Sequence, residues 1–465
     1  MQMTRKKKRA RARAKKKAII MILSVFMLIL LGSGSAAIAY GYSYVKHYNN
    51  LIFPGVKVEN VDISGKSVQD AKAILQKSFN DKVLMSKLTV KTPGKDYTLG
   101  FDKVDPKYDI DKVVNEAFTY GKDLNLYKKY KLIKNPENKA FSLQFAYNKD
   151  AVQKFVDGIE KDINKNPQDA KITRNNGAFN ITSETVGKKL NKEKLMEDIL
   201  SKMEYGIKED LQVSAEVQDV KARITKSSLA SIDGLISTFS THYSGISSAE
   251  RANNIVVSTK SIDGTVLMPG DVFSFNGTVG ERTVARGYQA GPVIIGNKVE
   301  SGLGGGICQV SSTLYNAVLM SNMRSVERVH HTLPSSYVQL GRDATVDWGN
   351  IDYKFKNTLN FPVYIQGTTS GGNVTFNIYS NQSLTKNRYA ITNDVYSTVE
   401  STTKTVEDPK LPQGSEEVVQ KAYTGYKVKV YRNIYENETL VKQELVSDDF
   451  YRPVEGLVKV GTKKN

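Results

Sequence analysis

The chain has 465 residues, 40% of them hydrophobic and 25% charged, and a formal net charge of +18. It is long enough for several domains with real cores, and its composition is that of a globular protein. Ten lysines and arginines and no acid fall within residues 1–17. The remainder is therefore only mildly basic, which argues against nucleic acid as a partner and suits a solvated surface or a polyanionic wall.

Behind the basic run, "AIIMILSVFMLILLGSGSAAIAYGY" starts at Ala18, and no charge follows before Lys46. About 20 apolar residues cross the hydrocarbon core of a bilayer. The expectation is a cytoplasmic tail over 1–17 and a single transmembrane anchor over 18–42. The C-terminal bulk is then extracellular, with Tyr40, Tyr42 and Tyr44 at the outer interface. A cleaved signal peptide is the rival, since "SGSAAIA" offers small residues. The length of the apolar run favours the anchor.

From Leu51 the chain reads as small α+β modules up to residue 220. Val56 and Val58 alternate as a strand, Ser64-Gly65 makes a turn, and Val68, Ala71, Ile74 and Leu75 recur at helical spacing. A helix is expected near Asp111–Tyr120, with strands around Tyr97–Phe101 and Ala140–Tyr147. "VGKKLNKEKLMEDIL" resembles the earlier "SGKSVQDAKAILQ", and it predicts a second strand–turn–helix unit with its turn at Gly187-Lys188. Residues 221–385 form the next domain. There "ITKSSLASIDGLISTFSTHYSG" reads as a polar helix, and "NIVVSTKSIDGTVLMPGDVFSF" as strands and turns. Residues 386–465 alternate as β-structure, with turns at Pro412-Gln413-Gly414 and Asn437-Glu438. The fold class is therefore α+β: a multidomain extracytoplasmic region on one N-terminal transmembrane helix, with a β-rich C-terminal module.

Chemistry concentrates in "GLGGGICQVSSTLYNAVLMS". Cys308 is the only cysteine, so an exported chain has no internal disulfide and carries one free thiol. The glycines tolerate positive φ and close approach. Val310, Leu314, Ala317 and Val318 then share a helical face. Cys308 thus sits at a helix N-terminus, where the dipole favours a thiolate. A nucleophile needs a base and a group to orient that base. His330 and His331 follow a short strand over Ser325–Val329. Neighbours on a strand face opposite ways, so one ring at most reaches the thiol, and His331 is the candidate. Asp343, after a Gly-Arg turn, is the candidate to orient it. Gln309 and the backbone of Gly304, Gly305 and Gly306 are candidates for binding an oxyanion. Arg282 and Arg286 are candidates for gripping a carboxylate. The alternatives are a buried structural cysteine, satisfied structural histidines and a turn-capping aspartate. One cysteine and two histidines without a C-x-x-C spacing make a poor metal set, so no metal and no cofactor is expected.

"GGGICQVSSTLYNAVL", "ERVHHTLPSSYV" and "GRDATVDWGNIDYKFKNTLNFPVYI" resemble the VanW family over about Ser244 to Tyr379. "FPGVKVENVDISGKS" and "NPQDAKITRNNGAFNITSETVGKKL" resemble the peptidoglycan-binding module that often precedes VanW domains. "LPQGSEEVVQKAYTGYKVKVYR" and "VKVGT" resemble the G-five surface module. These resemblances imply a cell-wall protein with peptidoglycan as partner, but no reaction. The expected function is a membrane-anchored cell-wall protein that binds peptidoglycan on the outer face of the membrane; the alternatives are a cysteine-dependent amide hydrolase or transpeptidase acting on stem peptides, and a non-catalytic spacer or assembly partner of wall-synthesis enzymes.

Overall fold

The computed structural model describes residues 3–204, 206–245, 247–295 and 298–463. Its contacts divide into two units, Met1–Asn166 with Gly187–Val220 and Pro167–Val186 with Lys221–Asn465.

The first unit begins with helix α1 (Met3–His47), whose apolar side chains from Ile19 to Leu31 are exposed. Among the described residues it is the one helix long and apolar enough to cross a membrane. Two cores follow. In one, Val56 and Val58 pack with Ala71 and Leu75 of helix Val68–Leu75 and with Val113, Val114 and Ala117 of helix Ile110–Thr119. In the other, strand Lys87–Thr92 lies between Lys95–Gly100 and Leu211–Ser214. Its Leu88 and Val90 meet Val152 and Val156 of helix Lys149–Ile163 and Leu195 and Ile199 of helix Lys192–Met203. The two look-alike segments thus serve different cores. Gly187-Lys188 is no turn: it opens a strand, Gly187–Leu190, that pairs antiparallel with Val217–Val220. The punctuation before the second helix is instead Asn191, whose side chain accepts the Lys194 N–H.

The hairpin Lys171–Asn175/Ala178–Thr182 belongs to the second unit, where Ala170 and Ile172 join Leu229, Ile232, Tyr364 and Tyr379 in a small core. The expected polar helix here is only Lys226–Leu229. Strand β1 (Gly234–His242) follows, because β-branched and aromatic residues (Ile236, Thr238, Phe239, Thr241) suit a pleated surface better than a helix. The next expectation also reverses. Helix α2 (Ala249–Ile262) covers "NIVVSTKSI", capped by Ser248, with Ile255, Ser258, Thr259 and Ile262 buried at helical spacing. Short strands β2 (Thr265–Leu267) and β3 (Val272–Ser274) lead to hairpin β4 (Ala290–Ile295)–β5 (Lys298–Leu303). Helix α3 (Ile307–Met320) and strands β6 (Arg324–Glu327) and β7 (Lys354–Lys356) come next, then β8 (Val363–Ser370) and β9 (Asn373–Ser380).

The central sheet has the order β1-β9-β8-β2, and β3-β7-β6 forms a second sheet. Phe376, Ile378, Ile365 and Val363 of the central sheet share one large core with Ile255 and Ile262 of α2 and Val310, Leu314 and Val318 of α3. The tail holds β10 (Asn387–Val399), β11 (Thr403–Pro412), β12 (Glu416–Gln420), β13 (Gly425–Glu436), β14 (Thr439–Tyr451) and β15 (Gly456–Lys463). They form two sheets, β10-β13-β14 and β11-β15-β12. Both expected tail turns are present. Ser415 N–H donates to the Pro412 carbonyl, and Asn437 and Glu438 take φ of 46° and 62° between β13 and β14. The fold is α+β, with one N-terminal apolar helix and a β-rich C-terminal module.

Candidate functional site

Helix α3 is buried on nearly all sides, and its polar residues anchor neighbouring chain. Thr313 shares a 2.8 Å hydrogen bond with Thr241 of β1, and the Ala317 carbonyl accepts from Ser237 at 2.7 Å. On the other side Ser312 accepts the Ala344 N–H at 2.9 Å and Ser311 donates to the Ala344 carbonyl at 2.6 Å. Asn316 donates to the Arg342 carbonyl at 2.7 Å. The loop 342–346 is thus stitched along the helix, which places Asp343 beside its middle turns and Val346 beside its first.

The glycine lead-in explains how the helix can start there. Gly304 and Gly306 take φ of +85° and +102°. A Cβ on Gly305 would lie 2.5 Å from the Pro292 carbonyl oxygen of β4. Only glycine allows the turn and the close approach together. Cys308 is the second residue of α3 and is half-buried; its thiol faces the Val346 carbonyl at 3.5 Å.

His331 and Asp343 converge on that thiol. Neither histidine lies on the strand; both follow β6 in an extended loop. The buried His331 ring places Nδ1 2.5 Å from Asp343 Oδ2, and its backbone N–H donates to the same oxygen at 2.7 Å. Nε2 is then the ring nitrogen left to act on Cys308, whose thiol His331 lowers. His330 turns away, with its Nδ1 2.7 Å from the His331 carbonyl. Burial alone would push the Cys308 thiol up, but the hydrogen bond and charge of His331, with the Arg282 charge behind them, bring it below the ordinary thiol value. Burial likewise opposes charge on His331, yet hydrogen bonds to Asp343 and Cys308 raise it to about 10. Asp343 resists its own burial through His331, Arg328 and Tyr451 and falls to about 2. The arrangement is a thiol lowered by an imidazole that a carboxylate backs, the pattern a cysteine nucleophile uses.

The other candidates divide. Arg282 reaches the site: it lies with its guanidinium 5.7 Å from the exposed Trp348 ring and donates to Asn276 Oδ1 at 2.7 Å. Arg286 does not; it is exposed, and its guanidinium is turned onto the Val279 carbonyl at 2.6 Å, against Gly280. Gln309 is no oxyanion donor, because it is fully buried and its Nε2 already donates to Thr241 Oγ1 and the His242 carbonyl. Its Oε1 accepts from Arg251 at 2.9 Å, which ties α2 to α3. Among the described residues, no group of three His, Cys, Asp or Glu could hold a metal. Sequence reasoning missed Arg328, Asp449, Tyr451 and Tyr337. Arg328 donates to the Asp343 carbonyl oxygen at 2.7 Å and to Asp449 at 2.6 and 2.7 Å. Tyr451 donates its hydroxyl to Asp343 Oδ1. Tyr337 lies edge-on to His331 at 6.5 Å. Arg328 and Tyr337 fall in the VanW-like segment "ERVHHTLPSSYV", the one available signal, though it gives them no role; nothing local marked the tail residues.

Comparison with known proteins agrees with this layout. Family models described as "VanW like protein", "Putative peptidoglycan binding domain" and "G5 domain" match residues 250–379, 97–212 and 391–463. The chain is similar to "Uncharacterized protein YoaR" of Bacillus subtilis (strain 168). Identity is 35% over 228 residues, which is 49% of this chain and 73% of that protein. It is 30% identical over 109 residues to "Vancomycin B-type resistance protein VanW" of Enterococcus faecalis (strain ATCC 700802 / V583), covering 22% of this chain and 40% of the relative. Two solved G5 structures are also similar. One is from IgA1 protease (28% identity, TM-score 0.14, 17% of this chain and 95% of that one). The other is from HP0197 (17% identity, TM-score 0.12, 16% and 95%).

Proposed function

We propose that this chain, which belongs to the VanW-like protein family, is an acyl-transfer enzyme of the cell wall. In this reading α1 anchors it in the membrane, its bulk lies outside the cell, and its peptidoglycan-binding-type and G5 domains hold the wall. Cys308 then cleaves an amide of a peptidoglycan stem peptide. The observation that carries the reading is the buried His331–Asp343 pair at the start of α3, with His331 lowering the Cys308 thiol beside it.

The Cys308 thiolate attacks the amide carbonyl carbon, and the protonated His331 gives its proton to the leaving amine as the C–N bond breaks. This leaves a thioester and a neutral imidazole. Water, or an amine of a second stem peptide, then attacks the thioester and gives its proton to His331, and the thiolate leaves. The two nucleophiles correspond to hydrolysis and transpeptidation. Asp343 keeps Nδ1 protonated and the ring in place throughout. The Cys308 backbone N–H at the start of α3 stabilises the oxyanion, since those of Ile307 and Gln309 already donate to the Gly304 and Gly306 carbonyls. Arg282 lies against the Trp348 ring and its charge reaches Cys308, so a carboxylate of the peptide suits its guanidinium.

Muropeptide mass spectrometry of isolated peptidoglycan incubated with the full-length protein tests this. New cleaved or re-joined stem peptides are expected with wild type and none with Cys308→Ala. Unchanged muropeptides alongside tight sedimentation of the protein with peptidoglycan would support the purely binding function instead. With neither change nor sedimentation, a spacer or assembly role would stand.

A further inference from the structure

The chemistry of Asp343 is completed by a module that lies outside the matched VanW region. Strand β14 carries Asp449 and Tyr451, which alternate onto one face. Asp343 needs two things held: Oδ2 toward His331, and Oδ1 somewhere that keeps the carboxylate from rotating. Oδ1 accepts from the Tyr451 hydroxyl, and Arg328 Nη2 adds a 3.3 Å contact. The Tyr451 oxygen is fixed in turn, because it accepts the Gly341 N–H at 2.8 Å. Arg328 is fixed by both oxygens of Asp449. All of these side chains are buried or nearly so, with side-chain exposures of 8% for Arg328 and Asp449 and 1% for Asp343. The tail is held to the same unit by Arg432, which donates to the Met323 carbonyl at 3.1 Å and pairs with Glu444 at 2.7 Å.

We infer that Tyr451 and Asp449 of the C-terminal module are positioning residues of the thiol site, acting through Asp343 and Arg328 to hold the carboxylate against His331. The inference rests on the thiol reading above. It makes the tail part of the reacting unit rather than a separable wall-binding appendage. Tyr451 acts directly, as the donor that fixes Oδ1. Asp449 acts one step farther out, by neutralising and orienting the Arg328 guanidinium that spans the Gly341 and Asp343 carbonyls. A buried arginine left without its carboxylate would be free to draw Asp343 away from the histidine.

The test is the pH dependence of Cys308 alkylation by iodoacetamide in the full-length protein. Wild type is compared with Tyr451→Phe, Asp449→Asn and His331→Ala, with Cys308→Ser as the blank and thermal melts run beside each. Wild type is expected to react with a midpoint below that of a free thiol. His331→Ala should lose this advantage. Tyr451→Phe and Asp449→Asn should each move the midpoint upward, leaving a thiol about tenfold less reactive at neutral pH while the rate at alkaline pH is kept. A merely structural role would lower the melting temperature and leave the midpoint where it was. A folded Tyr451→Phe and a folded Asp449→Asn that both keep the wild-type midpoint, while His331→Ala changes it, would overturn the inference and leave the thiol reading intact. A wild-type midpoint like that of a free thiol would remove both. If one variant does not fold, the other decides the matter.

Discussion

In the proposed chemistry His331 is the residue on which the reaction turns, because each of its ring nitrogens has a different task. Removing it leaves Cys308 with the opposing effect of burial, the Val346 backbone contact and the more distant Arg282, so the thiol should rise in His331→Ala. Amide cleavage should fall about a hundred- to ten-thousand-fold, the usual contribution of a general acid–base, measured as the initial rate on muropeptides. Asp343→Asn is subtler. It keeps the shape but offers an N–H or a neutral oxygen to Nδ1, so the ring loses the partner that raises it to about 10. The ascending limb of the rate–pH profile should therefore move upward and the maximum rate should drop. An Asp343→Asn profile that overlays wild type would mean that the aspartate only caps its turn.

Helix α3 decides where the thiol stands, and its glycine lead-in can be tested separately from the chemistry. A Cβ at Gly306 would meet Arg251 Cγ at 2.8 Å from a backbone at φ +102°. Gly306→Ala should cost about 1–3 kcal/mol through strain, read as a lower denaturant midpoint, and should slow Cys308 alkylation by displacing the first turn. The start of this helix was legible in the sequence, since glycines, a small polar stretch and 3.6-residue spacing coincide there. The grouping of His331 and Asp343 near Cys308 was legible too, because the chain has few histidines. The elements around it were not. Strand β1 was read as a helix because Ser and Thr look polar, although they alternate between a buried and a solvated face. Helix α2 was read as strands because Val and Ile favour β-structure, until packing on β8 overrode that preference. Gln309 was misjudged for a similar reason: a polar side chain beside a nucleophile looks functional, but here every atom of its amide is used to bind α2 and β1 to α3. The reach of Tyr451 to Asp343 across 108 residues leaves no local signal at all.

At the scale of the whole molecule, the buried charges set limits on pH, and the proposed membrane anchor is open to a direct test. Asp343 and Glu444 are both lowered to about 2, the first by His331, Arg328 and Tyr451 against its burial, the second chiefly by Lys442 and Arg432. A lowered carboxylate contributes stability that is fully present above its unfolded pKa, near 4, and is lost as pH falls toward about 2. The melting temperature should therefore hold between about pH 5 and 7 and fall steeply below about pH 4. His331 has the opposite sign. Its contribution is full below about pH 6.5 and is lost as pH rises through about 10. Deleting residues 1–47 should release the protein from membranes into the soluble fraction, while the full chain stays with them after an alkaline carbonate wash. Release of the full chain by that wash would contradict the anchor. The central claim is that Cys308 is a thiolate paired with His331. The chain has one cysteine, so ultraviolet thiolate absorbance of wild type minus Cys308→Ser reads it directly as pH is raised. The account predicts a midpoint well below about 8.5 that moves up in His331→Ala. A midpoint at or above that of a free thiol, unchanged by His331→Ala, would make Cys308 a packing residue and end the catalytic reading.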